Sequence, residues 1–195
     1  MSAQRRSWLR LGILAELVAR SNTKLGRTAL MKLAFLLQAV RGVPLGYSFR
    51  LYTYGPYDGD VLDDLGQAEA MRAVASSLVA FAGVYGYEFS PGPESDRVRS
   101  MAEPEIQGYR DDLSWVLGEF GSRTAAELEL LSTIVYADRE SLGRHQSVSA
   151  DELCRQVREI KPRFPDEYVK ASIQLLRDRG ILQSLGATAA PGRSG

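Results

Sequence analysis

The chain has 195 residues, with 24 Lys and Arg against 24 Asp and Glu, and is 45% hydrophobic and 25% charged, the make-up of an ordinary water-soluble globular protein with room for one large domain or two small ones. A single cysteine, Cys154, and a single histidine, His145, exclude an internal disulfide framework, a multi-cysteine zinc site and a His-rich metal centre. No apolar run reaches the roughly 18 residues a bilayer requires, and Arg10 and Glu16 interrupt the N-terminal stretch where a signal peptide would be apolar, so the expectation is a cytoplasmic protein with no membrane partner.

The first predicted helix runs from Ser7 to Ala19. Trp8, Leu11, Leu14 and Val18 form one row and Leu9, Ile13 and Leu17 the next, giving a broad buried face. A second helix, Thr28 to Val40, is apolar nearly all round, with Lys32 and Gln38 its only strongly polar members; such a helix belongs in the middle of a domain. From Tyr47 the period changes to two, and an aromatic strand is expected until Gly55-Pro56 ends it. Helical spacing resumes at Val61, Leu62, Leu65 and Ala68, with Asp58 as N-cap and Asp60 in the first turn. Short strands follow at Leu78–Ala82 and Tyr85–Ser90. This order is winged-helix-like.

The Pro- and Ser-rich stretch over residues 91–105 reads as a linker. Beyond it the chain is helical: Ile106 to Phe120, then two capping boxes, Thr124 to Glu127 and Ser149 to Glu152, then a last helix with Val169, Ile173 and Leu176 inward. Cys154 takes a core position in the helix after the second box. Gly180 closes the last helix, and Ile181-Leu182 suits a short strand. The expected architecture is therefore α+β and mainly helical: a winged-helix-like domain at 1–90, a linker at 91–105, a helical domain at 106–183 and a disordered tail at 184–195.

Residues 25–65, "LGRTALMKLAFLLQAVRGVPLGYSFRLYTYGPYDGDVLDDL", resemble the YwgA-like family of uncharacterised bacterial proteins, in which an LGRT-x-LQKL-x-FLLQ helix precedes a Y-x-F-x-x-Y-x-YGPYS segment. The C-terminal "EIKPRFPDEYVKASIQLLRDRGIL" is similar to that family's end. A more distant similarity runs to the Panacea or SocA-like antitoxin and adaptor domain, which has a related helix and GPY-type turn. The family pattern has Ser where this chain has Asp58 and Gln where it has Met31. The distant resemblance implies a protein-binding, antitoxin-like or adaptor role.

Charge is unevenly spread: residues 1–50 carry nine Lys or Arg against Glu16 alone, a net +8, while residues 51–120 carry a net −9. The split suits either a polyanion-facing end or a basic surface that docks on an acidic one, in the same chain or a second copy. Arg5, Arg6, Arg10, Lys24, Arg27 and Arg41 flank the first two helices and are candidate phosphate contacts; Lys170, Gln174 and Arg177 form a polar row on the last helix. The helix in the usual recognition slot, residues 59–70, instead carries Asp60, Asp63, Asp64 and Glu69, which repel a groove.

Asp58, Asp60, Asp63 and Asp64 are the one conceivable catalytic group, a carboxylate metal nuclease site. Positions 58 and 60 diverge by about 200° on a helix, however, and the acids at 60, 63 and 64 read as a solvent face. Tyr47, Tyr52, Tyr54 and Tyr57 pack a small sheet or form a stacking or protein-binding patch, with Tyr52 and Tyr54 the most exposed.

The leading expectation is a non-enzymatic regulatory module binding nucleic acid through the basic N-terminal helices, with no cofactor or metal. The alternative is an antitoxin-like or adaptor module engaging a protein through Tyr52, Tyr54, Tyr57, Asp60, Asp63 and Asp64, and the third is the metal-dependent nuclease. A homodimer is compatible with the charge split.

Overall fold

The computed structural model describes residues 2–81 and 84–185. The protein is α+β and mainly helical, and it divides into two compact units, Met1–Ser132 and Thr133–Gly195.

In the first unit, α1 (Ala3–Arg20) and α2 (Arg27–Arg41) flank the two-residue strand β1 (Leu25–Gly26). A hairpin of β2 (Arg50–Tyr52) and β3 (Gly55–Tyr57) comes next, then α3 (Gly59–Ala70). Strands β4 (Val74–Phe81) and β5 (Val84–Pro91) pair antiparallel in the order β1-β5-β4, and α4 (Ser95–Ile106) and α5 (Arg110–Phe120) follow. The hydrophobic pattern explains the centre of the unit: every residue of α2 from Ala29 to Leu37 is buried, Lys32 included. Leu9, Ile13 and Leu17 of α1, Val61 and Leu65 of α3, and Val98 and Ile106 of α4 join it. Burial of each such leucine or isoleucine is worth about 1.5–3 kcal/mol.

The expected linker at 91–105 is corrected. Ser95, Val98, Ala102 and Ile106 recur at helical spacing and are all buried, so most of the stretch is α4. It lies so close to α1 that a Cβ on Gly12 would stand 2.6 Å from the Ala102 Cβ and 2.7 Å from Ile106 Cγ2. Two small residues, Gly12 and Ala102, make that approach, which prolines at 91, 93 and 104 conceal in the sequence. Pro104 sits in the last turn of α4. The helix expected from Ile106 is likewise shorter: a 3-10 turn at Gln107–Tyr109 separates α4 from α5.

Gly55-Pro56 does not end a strand. It is the return strand β3, with Leu51 opposite Pro56 and Tyr52 opposite Gly55, and Gly55 has φ +89°, a conformation that side chains resist. The strand expected from Tyr47 is regular only over Arg50–Tyr52. Of the two later strands, Ala82 lies outside the described residues, and the pairing otherwise extends further than expected, from Val74↔Pro91 outward.

The division between units falls within α6 (Ala125–Gly143), not at 91–105. Its N-terminal capping box is complete: Thr124 N donates to Glu127 Oε2 at 2.8 Å and Glu127 N donates to Thr124 Oγ1 at 3.2 Å. In the second unit α7 (Ala150–Ile160) and α8 (Asp166–Asp178) pack through Leu153, Val157, Val169, Ile173 and Leu176. The box at Ser149 is half made, because Glu152 N donates to Ser149 Oγ while the Glu152 carboxylate pairs with Arg155. Cys154 is buried, and burial pushes its thiol pKa up.

The tail expected from 184 is corrected at its start, and residues 186–195 lie outside the described residues. Asp138, fully buried, accepts from Ser184 N at 2.9 Å, Ser184 Oγ at 2.7 Å and Gln183 N at 3.1 Å, and it contacts Arg139. Arg139 donates to Ile181 O, and Val148 bridges to Leu185 as an isolated parallel pair in place of the strand expected at Ile181-Leu182. Replacing Asp138 with Ala strands several buried donors, each costing about 1–3 kcal/mol. The Asp138→Ala variant is expected to lose roughly 3 kcal/mol or more in denaturant titrations; a loss below about 1 kcal/mol contradicts this clamp.

Candidate functional site

The segment from Val43 to Asp58 has little regular ladder, so its backbone groups must be satisfied in other ways. Side chains from α1, α2 and the N-cap of α3 do this. Arg10 of α1 donates to Leu45 O and to Gly46 O, both at 2.7 Å. Gln38 of α2 bonds both backbone groups of Tyr47, its Nε2 donating to Tyr47 O at 2.9 Å and its Oε1 accepting from Tyr47 N at 3.0 Å. Lys32, buried in the same helix, donates from Nζ to Pro56 O at 2.7 Å. Asp58 accepts from Ser48 N with one oxygen and from Asp60 N at 3.0 Å with the other, so it caps α3 and ties the entry of the segment to its exit. Aromatic contacts reinforce the frame: the Arg10 guanidinium lies 4.1 Å over the Tyr47 ring, and Phe49 meets Tyr47 and Phe35 edge-on at 5.5 and 5.2 Å. Gly46, at φ +70°, lies against Arg6, whose Cδ would be 3.0 Å from an added Cβ.

This frame holds out a hairpin tip of tyrosines. Tyr52 and Tyr54 are 68% and 60% exposed, as their sequence positions suggest, and Tyr57 is 39% exposed. Tyr52 and Tyr57 rings lie 5.8 Å apart, and Arg50 stands opposite Tyr57 in the ladder. Tyr47, by contrast, is core.

The acids divide in two ways. Asp60 and Asp63 are exposed, Asp60 within 3.4 Å of Arg10. Asp64 is not the solvent-facing residue expected: its side chain is 13% exposed, accepts from the Tyr47 hydroxyl at 2.8 Å and lies 3.5 Å from Arg10. The reason is helical register, since position 64 falls one turn from Val61 and Ala68 on the side of α3 that meets α1. Among the described residues no group of three or more His, Cys, Asp and Glu is placed to hold a metal ion.

The basic residues are mostly engaged inside the first unit. Arg5 pairs with Glu105 at 3.1 Å, Lys24 with Glu88 at 3.3 Å and Arg41 with Asp112 at 2.7 Å, and Arg27 lies 3.8 Å over the Tyr87 ring. Arg10, 14% exposed, is the least available of them and is a framework residue in place of the expected phosphate contact. The +8 and −9 segments thus neutralise one another within one unit. Arg5 and Lys24 keep exposed side chains, and exposed pairs of this kind contribute little to stability, so they can exchange partners. On α8, Lys170 pairs with Asp166 at 2.9 Å, Gln174 donates to Asp178 at 2.6 Å and Arg177 is half-buried. Lys32 and Gln38 are framework residues, and their signal in the sequence is that they are the only polar residues between Ala29 and Val40.

Burial, the largest influence, pushes the Asp64 carboxyl above its usual value of 3.8, against the Tyr47 hydrogen bond and Arg10, which pull it down. Burial and the Asp64 charge push the Tyr47 hydroxyl upward. A raised carboxyl means the folded protein holds this proton more tightly than the unfolded chain. Its stabilising effect is full below the unfolded value near 3.8 and is lost as pH rises through the folded one. A carboxyl-carbon NMR titration is expected to give Asp64 a midpoint above 3.8, and Asp64→Asn should remove that pH dependence from the unfolding free energy; a midpoint at or below 3.8 contradicts the burial argument. Compared with known proteins, the chain matches no family model and no curated protein.

Proposed function

We propose that the chain is a non-enzymatic binding module of adaptor or antitoxin-like type that engages a protein partner through the β2–β3 hairpin. The carrying observation is the contrast within one short segment: its backbone is fixed by Arg10, Lys32, Gln38 and Asp58, while Tyr52 and Tyr54 at its tip are mostly exposed. Tyrosines held on a rigid frame lose little side-chain freedom on binding and supply large amphipathic contact area, which is why they concentrate in protein interfaces. Asp60 and Asp63 extend the patch with negative charge, and Arg50 adds a positive group beside Tyr57. The partner surface that fits is apolar with basic groups at its rim. Asp64 is reassigned from contact residue to frame.

A winged-helix-like description of the first unit is part of this reading. It is supported by the order α1-β1-α2-α3-β4-β5 with strands arranged β1-β5-β4, the tyrosine hairpin being an insertion before α3. Use of that scaffold on nucleic acid is the second reading. Exposed Arg6, Arg27 and Lys24 favour it, and the acids on α3 and the intramolecular pairing of Arg5, Arg10 and Arg41 weigh against it. The carboxylate nuclease reading ranks third, since Asp58 and Asp64 are already committed to Ser48, Tyr47 and Arg10.

Capture from lysate of the native host with wild type and with a Tyr52→Ala/Tyr54→Ala variant tests the proposal. A protein retained by the first and lost by the second, with unchanged circular dichroism, is the expected result. Identical retained proteins contradict it. Fluorescence anisotropy on duplex and single-stranded DNA separates the second reading: micromolar, salt-sensitive binding weakened by Arg6→Ala and Arg27→Ala would transfer the assignment to nucleic acid.

A further inference from the structure

The sheet of the first unit ends on an edge that lacks the usual protection. Among the described residues β4 has one strand neighbour, β5, so alternate residues along β4 direct their N–H and C=O groups away from the sheet. Soluble proteins blunt such edges with charge, proline, a bulge or brevity. Strand β4, Val74–Phe81, has the sequence VASSLVAF: eight residues with no charged group and no proline, paired one-to-one with β5 through its whole length. Val74 is buried and Ser76 and Val79 are half-buried, while Ala75, Ser77, Leu78 and Ala80 are exposed.

One face of the β4–β5 pair also carries apolar side chains out into solvent. Residues opposite one another in an antiparallel ladder share a face, which here groups Phe89, Leu78, Tyr87, Ala80 and Tyr85. At the root, Phe89 is buried in the unit's own core; farther out, Leu78 is 60% and Tyr85 73% exposed. Arg27 lies over the Tyr87 ring, and among the described residues Leu78 and Tyr85 are left exposed beyond it.

We propose that β4 pairs antiparallel with β4 of a second copy of this chain, with a two-fold axis through Leu78. Symmetry restricts the register, and the exposed stripe centres it on Leu78. A two-fold axis normal to the sheet keeps each face on the same side, so only residues of equal parity can stand opposite one another. Centring on Leu78 sets Leu78 against Leu78 of the second copy and Ser76 against Ala80, with Ser77 against Val79. The two apolar stripes then become one continuous face across the joint, and no charge meets its like, because the strand carries none. The free N–H and C=O groups of each edge become ladder bonds. A charged partner strand would gain nothing specific from this edge, whereas an identical neutral one satisfies both its backbone and its side chains.

This isologous, apolar pairing differs in kind from a head-to-tail dimer held by the opposite charges of residues 1–50 and 51–120. It is also independent of the tyrosine hairpin. Sedimentation equilibrium from about 1 to about 200 µM, the range of transient pairings, is expected to show mass rising from one chain to two. The rise should persist at about 0.5 M NaCl, where exposed ion pairs are screened. Leu78→Lys sets like charges against each other at the axis and should keep the protein monomeric with unchanged circular dichroism. Leu78→Asp should behave the same, and an equimolar mixture of the two variants should recover the dimer. Wild type that stays monomeric throughout, a dimer that dissociates in salt, or a dimer that survives Leu78→Lys overturns the proposal.

Discussion

The first unit depends on a set of side-chain-to-backbone hydrogen bonds that substitute for a missing strand ladder. Between Val43 and Asp58 the chain runs back along α2, Tyr47 meeting Gln38, Phe49 meeting Phe35 and Pro56 meeting Lys32, and only residues 50–57 form a regular hairpin. Lys32 and Gln38, the two polar residues in the apolar middle of α2, supply bonds to Pro56 and Tyr47, while Arg10 and Asp58 supply those to Leu45, Gly46 and Ser48. Buried backbone groups without partners cost about 1–3 kcal/mol each, so the four side chains together decide whether this segment has one conformation or many. Buried Lys32 donates to the Pro56 carbonyl, which ties the GPY strand β3 to the middle of α2.

The same frame accounts for the charge distribution. Basic residues of α1, α2 and the turn between them face acids of α3, β5, α4 and α5: Arg10 to Asp60 and Asp64, Lys24 to Glu88, Arg5 to Glu105 and Arg41 to Asp112. The one acid among the first fifty residues reverses the pattern. Glu16, buried on α1, accepts from Arg99 of α4 at 2.7 Å, while its other oxygen, 3.9 Å from Arg20, has no hydrogen-bond partner among the described residues. A sequence segregated by sign thus becomes a unit many of whose charges meet across contacts between elements, while Tyr52, Tyr54, Leu78 and Tyr85 at two hairpins stay exposed.

Helices with strong periodicity were legible from the sequence: α1, α2, α3 and α8 lie within three or four residues of their expected bounds, and the Thr124 capping box closes as its spacing predicts. What escaped was set by contacts distant in sequence. Helix α4 was masked by Pro91, Pro93 and Pro104, although Val98, Ala102 and Ile106 carried its period, because the decisive fact is the Gly12–Ala102 approach. Pro56 read as a strand stop because its isolated chemistry argues so; its place in β3 follows from the pairing with Leu51 and the bond from Lys32. The exposure of Tyr52 and Tyr54 was legible from alternation with Arg50. The burial of Asp64 was not, since it turns on where α3 meets Arg10 and Tyr47.

Amide hydrogen exchange at Tyr47 and Ser48 probes the frame most directly, because neither amide sits in a helix or a paired strand and each donates to a side chain, Gln38 and Asp58. Both amides are predicted to exchange as slowly as those of α2, with Gln38→Ala releasing Tyr47 and leaving the α2 amides protected. Exchange at the rate of an open loop in the wild type would contradict the account.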